Sequence, residues 1–117
     1  MKDPTNFVVP KRLEAHKKER TERGFSEEDW WNFDTYIAWV IAGAVEKMKA
    51  DGNTMFAYPG EPEENWSALT HGEYEIMAKG FSQWADADNY LGDADSLYRD
   101  LEDALEIFKN RFKSLWD

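Results

Sequence analysis

Between Trp30 and Val45 the chain carries one charged side chain, Asp34, and almost everything else there is apolar. Ser26-Glu27-Glu28-Asp29 precedes this stretch: a serine able to cap a helix, then three acids suited to the positive end of the helix dipole. Trp30, Phe33, Ile37, Val40, Ala44 and Met48 recur at helical spacing, while Tyr36, Trp39 and Ala42 fill other faces. A helix apolar nearly all round needs cover from other elements, so the pattern predicts a central helix. Ile37, Val40, Ile41 and Ala44 are expected to be nearly fully buried in it. Gly52, after Lys47 and Lys49, suits a left-handed cap that ends it.

The remaining pattern is helical as well. Tyr58-Pro59-Gly60-Glu61-Pro62 reads as a turn-rich connection, pinned by Phe56, Tyr58 and Trp66. Thr70-His71-Gly72-Glu73 fits a capping box opening a helix through Tyr74, Met77, Ala78, Phe81 and Trp84. A last helix begins around Asp93, with Tyr98, Leu101, Leu105, Phe108, Phe112 and Leu115 as its apolar stripe. No stretch alternates with period two for long enough to argue a sheet. The fold class read from this is all-α: a compact bundle of three to four helices around a central apolar helix, with an N-terminal basic arm. At 117 residues the chain is one domain's worth, able to bury roughly two-thirds of its unfolded surface.

Charge divides the chain. Residues 1–23 hold seven basic side chains against four acidic, a net +3, and little apolar material beyond Phe7-Val8-Val9 and Leu13. They read as a basic arm or a solvated helix, open to proteolysis. Residues 24–117 hold seven basic against twenty acidic, a net −13, and form the acidic helical domain.

Several chemistries are excluded or poorly supported. With no cysteine there is no disulfide, no thiolate zinc site and no thiol nucleophile. The longest uncharged apolar stretch, Thr35 to Val45, is about half of the ~20 residues a membrane span needs. The first residues lack the apolar region of a signal peptide, so a soluble cytoplasmic protein is expected. Stacking on single-stranded nucleic acid needs a positive groove around the aromatics, and the body is negative. None of Ser26, Ser67, Ser82, Ser96 or Ser114 sits in a Gly-x-Ser-x-Gly turn, and no phosphate loop occurs. Asp34, inside the apolar run, is expected to cap a helix after a break at Phe33.

Seven carboxylates, Asp86, Asp88, Asp93, Asp95, Asp100, Glu102 and Asp103, crowd the C-terminal part. A calcium loop counted from Asp86 puts glycine at position 7 rather than 6 and Leu97 at position 12, where glutamate belongs. These acids are instead expected to be solvated or to meet a basic partner. Trp30, Trp31 and Trp66 are the candidate aromatic anchors beside them, since one short domain rarely hides six tryptophans.

The run Arg23-Gly24-Phe25-Ser26-Glu27-Glu28-Asp29-Trp30-Trp31-Asn32-Phe33-Asp34-Thr35-Tyr36-Ile37-Ala38, with Tyr58-Pro59 and Met77-Ala78-Lys79-Gly80-Phe81 beyond it, resembles small helical proteins encoded in tailed-phage genomes. The resemblance covers residues 23–85; a Trp66-containing insertion and the acidic C-terminal helix depart from it. It implies a phage or prophage setting and no particular reaction. The functional expectation is a non-enzymatic accessory protein, without cofactor or metal. It would bind and inhibit a host protein with a basic surface, such as a nucleic-acid-binding defence or transcription factor. Two alternatives stand beside it: a metal-dependent all-α hydrolase using Glu46, Glu73, Glu75 or Asp86, and an oligomeric assembly protein paired through its C-terminal stripe.

Overall fold

The computed structural model describes residues 2–5, 7–50 and 71–114. Five α-helices follow one another there: α1 (Leu13–Arg23), α2 (Glu27–Trp31), α3 (Phe33–Ala50), α4 (His71–Ala85) and α5 (Ala94–Arg111). No strand occurs among the described residues, and the expected all-α bundle is present.

Local chemistry sets the helix ends. Ser26 caps α2 by accepting from the Asp29 N–H at 3.1 Å, and Asp29 accepts in return from the Ser26 N–H at 2.8 Å. Asp93 caps α5, accepting from the Ser96 N–H at 2.7 Å. Gly24 ends α1 at φ +90°, a conformation that an L side chain strains to adopt. The break between α2 and α3 falls at Asn32, whose carbonyl accepts from the Tyr36 N–H and the Thr35 hydroxyl. Asp34 is therefore not the cap expected of it; it accepts from the Trp84 indole N–H at 3.1 Å.

The middle position belongs to α4, which packs against α3 on one side and α5 on the other. Its Tyr74, Met77, Ala78, Phe81 and Ala85 are buried against Ala38, Ala42 and Val45 of α3 and Ala104 of α5. The α4–α5 approach is close. A Cβ on Gly80 would collide with the Asp100 carbonyl oxygen and lie 2.6 Å from the Ala104 Cβ.

The burial expected of α3 is corrected. Ile37 and Val40 are 39% and 41% exposed, Ala44 is exposed, and Ile41 is only half-buried. The inward face is Ala38, Ala42 and Val45. At 3.6 residues per turn, Phe33, Ile37, Val40 and Ala44 centre about 140° away from that face. An apolar surround gives no contrast by which sequence alone could choose the inward side. Small Ala38 and Ala42 win because they let the helix axes come close, and Phe81 and Met77 fill the space opposite.

Candidate interaction surface

The basic segment is held by charge. One stripe of α1 and the turn before it carries Arg12, His16 and Arg20 at i, i+4 and i+8, facing the first turn of α2. Arg20 donates to both oxygens of Asp29, each at 2.7 Å, and to Asp3 at 2.8 Å. Arg12 donates to Glu28 at 3.0 and 3.1 Å and to Glu19 at 2.9 Å. Asp29 is fully buried and Glu28 nearly so. Burial is the largest single influence on Asp29 and works against its ionisation, but the Arg20 hydrogen bonds and charge together with the hydrogen bonds to Ser26 outweigh it and hold its pKa below the usual carboxylate range. Asp3 is lowered to about 2 by the same balance, with Arg20 and Thr5 as donors. Glu28 is lowered chiefly by Arg12. Apolar content gave no warning of this docking; the Arg-x3-His-x3-Arg spacing opposite Ser-Glu-Glu-Asp is the signal that could have.

Ser26, His16 and Glu28 invite comparison with a serine nucleophile, base and orienting acid. All three are buried, and His16 Nδ1 lies 2.6 Å from Ser26 Oγ and 3.7 Å from Glu28. The geometry is wrong for catalysis. A triad uses one ring nitrogen toward the nucleophile and the other toward the acid, whereas here Nδ1 faces both. Ser26 Oγ has no exposed surface and is already committed to the helix cap. The trio is a clasp between α1 and α2.

The seven expected acids are scattered in their roles. Asp93 is a helix cap, Asp100 lies 3.6 Å from Lys79, and Asp86 accepts from the Asn89 side chain at 2.7 Å. Asp95, Glu102 and Asp103 are exposed on α5. Asp88 is exposed in the turn after α4, where it and Asp86 border a cleft of about 280 Å³ shared with Phe7. Glu73 and Glu75, weighed as metal ligands, meet Arg111 at 2.9 Å and Lys49 at 2.6 Å. Among the described residues no three acids or histidines gather as a metal site.

The aromatic candidates form a surface. Trp30 is 64% exposed and Trp31 62%; Trp66 lies outside the described residues. Phe25, Trp30 and Phe33 make a ring cluster with centroids 5.8–6.2 Å apart, and Arg23 sits over Phe25 at 4.8 Å. Phe33, Ile37, Val40 and Ala44 continue that cluster along the outer face of α3. Trp31 stacks on Phe7 at 6.1 Å, which joins it to the cleft beside Asp86 and Asp88. The α5 acids stand across α4 from this face and are not part of it.

No protein-family model matches the chain, and neither a curated protein nor a solved structure matches it. No helix among the described residues is long and apolar enough to cross a membrane.

Proposed function

We propose that this chain is a non-catalytic protein-interaction module that docks a partner on the outer face of α2 and α3. One observation carries the reading: a helix apolar on two sides spends only one of them on its own core. Trp30, Phe33, Ile37 and Val40 stand 39–64% exposed in one contiguous patch. Patches of this kind, anchored by tryptophan, mark interaction sites. The buried ionisable groups support a non-catalytic role, because Asp29, Glu28 and His16 are engaged with one another and with arginines. The phage resemblance adds a host protein as the target of the docked module, and the α5 acids, which lie away from that face, would steer a basic one toward it over a distance.

Parallel capture tests the reading. Tagged wild type, Ile37→Asp, and a triple Asp93→Lys/Asp95→Lys/Asp100→Lys variant are each incubated with bacterial lysate containing an untagged copy of the chain. Wild type and the triple variant should retain the same bound protein, whereas Ile37→Asp should lose it. Retention by Ile37→Asp together with loss by the triple variant would move the site to α5.

A further inference from the structure

Resting on that reading of the face, we infer that its occupant is a second copy of this chain, with α3 packed antiparallel on its counterpart. On α3 the stripe Phe33, Ile37, Val40, Ala44 has spacings of four, three and four residues, and Trp30 of α2 adjoins its start, ring centroid 6.2 Å from that of Phe33. The stripe is therefore symmetric about a point between Ala38 and Trp39, and reversing the helix lays it on itself. A two-fold interface needs such self-complementarity.

Size and charge choose the antiparallel sense. The stripe is bulky at its start and small at its end. Antiparallel pairing sets Phe33 against Ala44 of the other copy and Ile37 against Val40. Lys47, one turn beyond Ala44, then comes to the end where Trp30 and Glu27 of α2 lie, bringing a cation toward an indole and a carboxylate. Parallel pairing would oppose Phe33 to Phe33, Ala44 to Ala44 and Lys47 to Lys47, leaving steric conflict, a void and like charges. Glu46, the acid next to Lys47, points to the far side of the helix at 100° per residue.

Gly43 is an independent sign. It sits exposed within α3, and a Cβ there would meet nothing within 4 Å. A mid-helix glycine costs about 1 kcal/mol relative to alanine, and no contact among the described residues requires it. At 100° per residue it lies about 60° round from Val40, on the edge of the stripe, where it leaves the backbone bare to an approaching helix. The area approaches what is needed. The four large residues expose on the order of 400 Å² per chain. Two copies thus bring roughly 800 Å² of the ~1,000 Å² that a specific interface needs, before Phe25, Gly43 and Ala44 are added.

The test is solution mass by sedimentation equilibrium on the full chain, from about 1 to 300 µM, the range of moderate association constants. Wild type should rise from the 13.7 kDa chain mass toward twice that value. Val40→Asp and Ala44→Arg, both at exposed positions, should stay at the chain mass with unchanged helical circular dichroism. If Val40→Asp loses helicity, Ala44→Arg decides alone. Orientation is read by cross-linking, since the natural chain has no cysteine. Ile37→Cys mixed with Val40→Cys should give the mixed product with a short bis-maleimide severalfold faster than either variant gives its own. A wild type that stays at the chain mass overturns the inference, as does a dimer unaffected by both charged variants or a preference for like-with-like cross-links. A monomeric wild type whose lysate capture is still lost in Ile37→Asp would leave the docking face standing with a different occupant. Capture unaffected by Ile37→Asp would remove both.

Discussion

Arg20 donates through two nitrogens to the two oxygens of Asp29, each at 2.7 Å, and Asp29 has no exposed surface. The pair joins the end of the basic segment to the first turn of α2, and α2 in turn presents Trp30 and Trp31. Tyr36 strengthens the link: its hydroxyl donates to the Gly24 carbonyl, and the Arg20 guanidinium lies 5.0 Å from its ring. Residues expected to be a basic arm or a solvated helix thus form a largely exposed helix that braces the corner from which the aromatic face begins.

Arg20→Met should destabilise the protein by about 3 kcal/mol, because it leaves the Asp29 carboxylate buried without its cation. Urea denaturation measures the loss, and hydrogen exchange should show protection falling first across α1. A midpoint within error of wild type would mean that the pair does not hold the segment.

Acid should act through the same groups. Asp3, Glu28 and Asp29 have folded pKa values below their unfolded ones, so they bind protons more readily once unfolded. Their contribution is complete above the unfolded carboxylate pKa of about 4 and declines as pH falls through the folded values, to about 2 for Asp3. The urea midpoint should be flat in this respect from pH 7 to 5 and drop from pH 4 downward. Arg20→Met should have a shallower drop, and an equally steep one would assign the acid sensitivity to other carboxylates.

Gly80→Ala should cost about 1–3 kcal/mol, since the new methyl must push α4 away from the Asp100 carbonyl and Ala104. Gly43→Ala, by contrast, should stabilise the isolated fold by up to about 1 kcal/mol, since its methyl enters open space. Thermal denaturation of the two variants side by side checks the contrast. A stabilised Gly80→Ala would mean that α4 and α5 do not pack closely at this position.

These contrasts mark what the sequence could and could not convey. Helix positions and the caps at Ser26 and Asp93 were legible because hydrogen-bonding side chains and apolar periodicity act locally. The inward face of α4 was legible too: Tyr74, Met77, Ala78 and Phe81 stand out from polar neighbours. The inward face of α3 was not, because Ile37 and Val40 are as apolar as the Ala38 and Val45 that are buried. Docking of α1 was not legible because it depends on charge pairs between segments, which leave no hydrophobic pattern. The exposure of Trp30 and Trp31 was legible from the number of tryptophans alone, whereas the separate roles of the α5 acids, close as they are in sequence, were not.

Reversal at Asp93, Asp95 and Asp100 should cost about 1 kcal/mol through the lost α5 cap. The Asp100–Lys79 pair, 3.6 Å apart with its lysine in solvent, should add little. Partner capture at physiological salt should be retained. A thermal shift well beyond that cap loss would give the acidic side a structural role not visible in its contacts.

The most direct measurement is hydroxyl-radical labelling of the intact chain, read residue by residue by mass spectrometry in dilute solution and again with the partner bound. Trp30, Phe33 and Ile37 should label rapidly in the dilute chain, unlike buried Phe81 and Met77, and become protected in the complex. Slow labelling of Trp30 and Phe33 in the dilute chain, or no protection of them on binding, would contradict the account of α2 and α3 as the docking face.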